Sequence, residues 1–259
     1  MGQLVLRDDV GTWVNIPKRV TRIISLVPSL TEAISQTHLG SLVGVTEWCS
    51  YPPDLDVTRV RGTKNPDCKT IVGLRPDLVL ANKEENREID VRRLRESGIC
   101  VWVTDIKSIP QAFDSLDRIF EPVLRWGRPE WLLAARDAWS SPPPSLGARV
   151  AVPVWRDPWM VVGSSTFTGD LITRLGLEHV FHNHRDRYPK MGIHEINRRD
   201  IDLVLLPDEP YAFNANDGPE AFDKTLPLLV SGRLLTWYGP SLVKARLQLS
   251  NAIVNALGQ

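Results

Sequence analysis

The sequence has no long apolar run; nowhere does it reach the roughly 20 consecutive apolar residues that a membrane-spanning helix needs. It has no excess of charge of either sign. Its 31 Lys and Arg balance 31 Asp and Glu, so no broad basic field draws it to nucleic acid or to an anionic membrane. Cysteine is scarce: Cys49, Cys68 and Cys100 form no close pair. That excludes a disulfide framework and a zinc-ligand spacing, and leaves three single thiols. There is no internal repeat, and the only low-complexity tract is a triproline at 142–144. The stretch VGSSTFTGD lacks the Gly-Lys-Ser/Thr of a phosphate loop, and no Gly-x-Ser-x-Gly elbow occurs. The first residues, MGQLVLRDDVG, carry no basic segment followed by an apolar one. The expectation is therefore a cytoplasmic protein, or a periplasmic or surface-anchored one from which a leader has been removed.

What is present is an alternation of short apolar runs and amphipathic stretches. QLVLRDDVGTWVNI predicts a β-hairpin around Asp9-Val10-Gly11. RIISLVPSLTEAISQTHLG predicts a strand over Ile23–Val27 and then a helix, with Ser29 as N-cap, Glu32 completing a capping box, and Gly40 closing the end. LVGVT, DLVLAN and ICVWVTD predict further strands, with helices in TIVGL and REIDVRRLRESG. Strand–helix alternation with short links implies a parallel α/β sheet. Residues 108–140 read as helical, interrupted by Gly127 and Pro129, and SSPPPSLG then stops all regular structure. Beyond it the alternation restarts: RVAVPVW as a strand with an edge or bulge at Pro153, TGDLITRLGLE as a helix capped by Thr168, DIDLVLLPD and LLTWYG as strands, and a final amphipathic helix. The organisation expected is an N-terminal α/β lobe over 1–107, a helical bridge and Pro-rich linker over 108–146, and a C-terminal α/β lobe over 147–259.

Nine tryptophans are many for 259 residues. Trp13, Trp102 and Trp131 are expected to fill core. In WRDPWMVVGSSTF, Trp155 and Trp159 flank Pro158, which makes a continuous helix through them unfavourable and places their rings on a loop. Ligands of open parallel sheets bind beyond the carboxyl ends of the strands. Trp48 and Tyr51 follow LVGVT, Trp155 ends RVAVPVW and Trp159 follows it, Tyr211 and Phe213 follow LVLLPDEP, and Trp237 and Tyr238 end LLTWYG. Aromatic rings on strand-end loops suit a large, flat, partly apolar ligand.

These stretches carry a family likeness. RIISLVPSLTEAI, LVGVTEWCSYP, NPDCKTIVGLRPDLVLANKEENRE and SGICVWVTD resemble the cobalamin- and siderophore-type substrate-binding proteins of ABC importers, with elements in the same order from about Arg22 to the final helix. The resemblance implies two Rossmann-like α/β lobes bridged by a helical backbone, the class III periplasmic-binding-protein fold, with a ligand in the cleft between them and little hinge motion. It implies binding and release without catalysis, a corrinoid or similar macrocycle as ligand, no covalently bound cofactor, no resident metal, and a monomer. Carried over, the ligand-facing residues are Trp48, Tyr51, Trp155, Phe167 and Trp237, with Trp159 and Tyr211 as neighbours. Arg156 is the one evident cation there in the C-terminal half, so a neutral macrocycle fits better than an anionic ferric siderophore. Importer proteins of this type dock on a permease through one glutamate per lobe. Glu195 stands at one such place, but Lys69 stands at the other and would repel a permease arginine. ANKEENRE resembles a poorly characterised branch of the family.

Three alternatives remain open in the residues. A haem, ferric-siderophore or metal-chelate receptor would use the same fold. The cluster His179, His182, His184 and His194 could ligate a metal, although its Arg- and Asp-rich surroundings predict solvent exposure. Glu84, Glu85, Asp105 and Asp208 could act as acid and base in an enzyme or cytoplasmic sensor.

Overall fold

The structure, a computed structural model, describes residues 4–142 and 146–258. Two of the three linker prolines (within 143–145) and residues 1–3, with Gln3 at the start of the hairpin segment, lie outside the described residues. The chain divides into two compact units. One comprises Met1–Ile106, Phe113–Leu132 and Tyr238–Pro240; the other comprises Lys107–Ala112, Leu133–Trp237 and Ser241–Gln259.

The first unit opens with the expected hairpin, β1 (Leu4–Arg7) paired antiparallel with β2 (Trp13–Ile16). Gly11 takes the positive φ (83°) that its turn requires. Strands β3 (Ile23–Ser25), β4 (Leu42–Val45), β5 (Thr58–Arg59), β8 (Leu78–Asn82) and β9 (Val101–Thr104) form a parallel sheet in the order β5-β4-β3-β8-β9. A small hairpin, β6 (Arg61–Gly62) with β7 (Asn65–Pro66), follows β5. Helices α1 (Pro28–His38), α2 (Cys68–Gly73) and α3 (Glu88–Glu96) connect the strands. The sheet is buried on both faces, as the unbroken apolar runs require. Ile24, Val79, Ala81, Val101 and Val103 pack with Ile71, Val91 and Leu94 from α2 and α3. Leu78 and Leu80 point to the opposite face and are equally buried. Helix α4 (Ile109–Arg118) runs into a π turn over Ile119–Val123; Pro122 has no N–H to give there, and the Leu124 amide donates to the Ile119 carbonyl at 2.9 Å.

Three local expectations are corrected here. Helix α1 begins at Pro28 with Val27 as N-cap, because proline suits the first helical position, so Ser29 lies inside the helix with Glu32 and both are buried. Gly40 sits in a short 3-10 turn, Leu39–Ser41, without a positive φ, so it is not a left-handed helix terminator. Trp13 is 65% exposed, on the outer face of β2 with the Arg7 guanidinium 5.2 Å from its ring centroid, whereas Trp102 and Trp131 are buried as expected.

The second unit has a parallel sheet of β10 (Arg149–Ala151), β13 (Glu178–His179), β14 (Leu203–Pro207) and β15 (Leu226–Val230), ordered β13-β10-β14-β15. Pro153 interrupts RVAVPVW, so β11 (Pro153–Trp155) leaves that sheet and pairs antiparallel with β12 (Met160–Val161), with a register irregularity between Pro153 and Trp155. The helices are α5 (Glu130–Ala138), α6 (Phe167–Arg174), α7 (Ile193–Ile196), α8 (Gly232–Thr236) and α9 (Leu242–Leu257); the first residues of α5 belong to the first unit. Val204 and Leu206 of β14 pack with Ala151, Val161, Ile196, Phe213 and Phe222. Two expectations fail. The N-cap of α6 is Thr166, whose hydroxyl accepts the Gly169 amide at 3.2 Å, and not Thr168, whose hydroxyl donates to the Leu235 carbonyl. LLTWYG is not a strand: Leu234 to Thr236 lie in α8, and the strand is LPLLV, where Pro227 is tolerated because β15 is at the sheet edge.

Candidate functional site

The carboxyl end of β4 carries Thr46, Glu47, Trp48 and Cys49. This loop is fixed from beneath. Cys49 is fully buried and its Sγ lies 3.0 Å from the Thr31 hydroxyl and 3.1 Å from that of Thr46. Burial pushes the Cys49 thiol up, so it stays a neutral packing group. The Arg59 guanidinium donates to the carbonyls of Thr46 (3.1 Å), Cys49 (2.9 Å) and Leu55 (3.3 Å). Trp48 stands on this anchored turn, 65% exposed, with its indole nitrogen above Gly62, where a Cβ would come within 3.2 Å of it. Tyr51, three residues on, is 40% exposed. Arg59 and Cys49 are the residues that sequence reading missed. The only hint was a cysteine flanked by turn residues directly after a buried strand.

In the second unit Trp155 ends β11 and is 45% exposed. Its ring meets Tyr211 edge-on, centroids 5.6 Å apart and planes at 78°. Tyr211 packs on Phe213 at 4.6 Å, and Phe213 stacks on Trp159 at 5.9 Å with planes 6° apart. Trp159 also meets Phe222 edge-on and is half-buried. The β11–β12 turn thus sets one ring outward and the other into the wall behind it. Arg156, between them, lies 5.4 Å over Trp159 and binds both Asp217 and Glu220. The Tyr211 hydroxyl donates to the other Asp217 oxygen at 2.7 Å. The Arg156 hydrogen bond holds Glu220 below the usual carboxylate range, and the Asp217 hydrogen bond pushes the Tyr211 phenol up. The cation is therefore balanced by two carboxylates, which sequence alone did not show. Phe167, the first residue of α6, and Trp237, just past α8, are both 5% exposed. Among the seven rings named from sequence, Trp48, Tyr51 and Trp155 present the most surface.

The alternative constellations are engaged internally. Asp105 takes the Lys83 ammonium at 3.1 Å, Glu85 accepts the buried Tyr238 hydroxyl at 3.3 Å, and Asp208 accepts the Gly232 amide at 2.6 Å. His179 is buried and not exposed as expected, because it belongs to β13; its Nε2 is 2.9 Å from the Val162 carbonyl, and burial pushes the imidazole down. His182 Nδ1 faces the His179 carbonyl, and His184 Nδ1 accepts the Asp186 amide. Among the described residues no three His, Cys, Asp or Glu side chains are grouped to hold a metal ion. Lys69 is exposed in the first turn of α2, and Glu195 accepts the Gly192 amide at 2.6 Å in the first turn of α7.

No family model matches the chain. The chain has the fold of the periplasmic vitamin B12- and haem-binding proteins. It superimposes on the periplasmic vitamin B12 binding protein BtuF of Vibrio cholerae with a TM-score of 0.72, 20% identity, and coverage of 94% of this chain and 100% of that one. A periplasmic haem binding protein from Pseudomonas aeruginosa gives 0.74, 18% identity, and coverage of 90% and 92%. In sequence it is 34% identical over 119 residues to an uncharacterised ABC transporter substrate-binding lipoprotein, YvrC, of Bacillus subtilis, and 26% identical over 195 residues to a vitamin B12-binding protein of Salmonella choleraesuis. The first match takes in 44% of this chain and 38% of that protein; the second takes in 71% of each. The stretch matched thus spans little more than a third of the relative that matches first. These relatives and neighbours are named as binding proteins, and among the described residues no helix is long and apolar enough to cross a membrane.

Proposed function

We propose that this chain is a ligand-binding protein that holds a corrinoid or similar macrocycle without transforming it, and serves ABC import. The observation that carries this reading is the placement of Trp48. It is an indole 65% exposed, on a loop anchored by the buried Cys49 and by the Arg59 guanidinium, at the carboxyl end of β4, an inner strand of the parallel sheet. Exposed apolar rings are costly to keep in water, and a rigid one is pre-organised to cover a flat ligand. In the first unit Tyr51 supplies a further ring. In the second unit Trp155 supplies one, backed by Tyr211 with Trp159 behind; Phe167 and Trp237 complete the set of proposed ligand neighbours there. The ligand is bound non-covalently, and the protein acts as a monomer. The balanced charge around Arg156 favours a neutral macrocycle over an anionic chelate.

The names of the relatives, periplasmic or lipoprotein, favour an exported location over a cytoplasmic one. A permease would meet Glu195 and Lys69, and the lysine makes that contact unlike the paired glutamates of the importer type. A haem receptor is the second reading, favoured by solved neighbours of the same fold. The test is retention on gel filtration. The protein is mixed in turn with cyanocobalamin, haemin and a neutral ferric siderophore, and the protein peak is read in the visible. Co-elution of the corrinoid supports the first reading. Co-elution of haemin alone would replace it with the second.

A further inference from the structure

An open pocket of about 440 Å³ lies on the surface of the first unit, lined among others by the exposed Lys18, Arg19, His38 and Arg125 and by Ser41 and Trp126. Its position separates it from the rings described above. Thr21 precedes β3 and Ser41 precedes β4, so the pocket lies at the amino ends of these two strands, and the carboxyl end of β4 leads to Trp48. Five residue steps along β4, from Ser41 to Thr46, are about 16 Å.

The charge in this pocket is unbalanced. Three permanent cations line it and no aspartate or glutamate does. Elsewhere the arginines are mostly paired: Arg95 with Asp8, Arg128 with Asp117, Arg149 with Asp200, and Arg156 with Asp217. Among the described residues, Lys18, Arg19 and Arg125 have no carboxylate within ion-pair distance. Arg125, held at φ 59°, donates to the Lys18 carbonyl, which ties its guanidinium to the segment that carries the other two cations. The α1 C terminus contributes about half a negative charge nearby, which three cations exceed. Asp77, beside the rim, is occupied by the Thr21 hydroxyl (3.0 Å) and the amides of Thr21 (2.8 Å) and Arg22 (2.9 Å). The remaining wall holds Val20, Thr21, Gly40, Ser41 and Leu124 and two rings: Trp126 is half-buried and stacks with His38, centroids 5.1 Å apart and planes at 28°.

We infer that this pocket is a second binding site, for a small organic phosphate of nucleotide size, with phosphate oxygens on Lys18, Arg19 and Arg125 and the organic part along Trp126. Guanidinium groups match phosphate oxygens in paired hydrogen bonds, and the volume lies within the usual range for small-molecule sites. The inference is independent of the corrinoid reading, because it uses none of the same residues.

The experiment is a calorimetric titration of the full chain with ADP, pyrophosphate and adenosine. Saturable binding of ADP is expected, weaker binding of pyrophosphate, and none of adenosine. Because Arg125 also holds the Lys18 backbone, the main variant is the exposed pair Lys18→Glu/Arg19→Glu, with Arg125→Gln second. The double variant should weaken ADP at least about tenfold, since it reverses two charges at the phosphate, and should leave cyanocobalamin retention unchanged. Trp48→Ala should leave ADP binding unchanged. Absence of saturable ADP binding, or binding that the double variant does not weaken, overturns the site. Adsorption to vesicles rich in phosphatidylserine without binding of soluble phosphates would also overturn it, by making the cations a membrane contact.

Discussion

Replacing Trp48 by alanine isolates what one exposed ring contributes. A tryptophan side chain can bury about 200 Å², and at 65% exposure about 130 Å² of that is still in water. Covering it with a macrocycle at about 25 cal/mol/Å² is worth roughly 3 kcal/mol. Fixing the ring costs about 1 kcal/mol of rotamer freedom, less here because the loop is already held, so the net is about 2 kcal/mol. Trp48→Ala should therefore weaken cyanocobalamin about 30-fold. Equilibrium dialysis read at the corrin visible band measures this. Trp13 is the control: it is equally exposed, but on the outer face of the β1–β2 hairpin, so Trp13→Ala should leave the affinity unchanged. Neither variant should alter the urea midpoint much, because both rings are mostly in water. Equal losses from both variants, or no loss from Trp48→Ala, would refute the reasoning.

Three further outcomes test the scaffold. Arg95→Met removes the 2.7 Å partner of Asp8, whose side chain is fully buried, and leaves that carboxylate with only the Thr12 amide; a loss of about 3 kcal/mol in urea unfolding is expected, with much of it restored by adding Asp8→Asn. Thr166→Ala removes the α6 cap and leaves the Gly169 amide without its buried acceptor, which should cost about 1–2 kcal/mol in the same assay. Burial acts to raise the Asp77 carboxyl, but the hydrogen bonds from Thr21 and Arg22 outweigh it and hold it below its ordinary 3.8. Its contribution is thus complete above the unfolded value and is lost as pH falls through the folded one, so Asp77→Asn should flatten the acid limb of a stability–pH curve and lower stability at pH 7.

The parts of the fold that could be read from sequence are those where pattern and tertiary environment agree. DLVLAN and ICVWVTD are unbroken apolar runs because their strands are covered on both faces, and that composition is visible in one dimension. Strand LPLLV was missed because Pro227 argues against a ladder, and only the sheet order shows that its missing N–H falls at an edge. LLTWYG has the composition of a strand but closes a short helix, where Leu235 is buried. Both N-cap positions slipped by two residues because Pro28 and Thr166 compete with equally suitable neighbours. At the site, residue type was legible and exposure was not. Trp48 and Trp237 look alike as tryptophans at predicted strand ends, yet one is mostly in water and the other is covered. The clamp of Asp217 and Glu220 on Arg156 joins positions more than 60 apart, which no local pattern encodes.

The most direct measurement is a calorimetric titration of the full chain with cyanocobalamin, with haemin titrated in parallel. The account predicts a single saturable site for the corrinoid, with Kd about 1 μM or below (about −8 kcal/mol or more favourable), and weaker binding of haemin. No heat of binding up to about 1 mM corrinoid (a limit near −4 kcal/mol), or tighter binding of haemin than of the corrinoid, would contradict it.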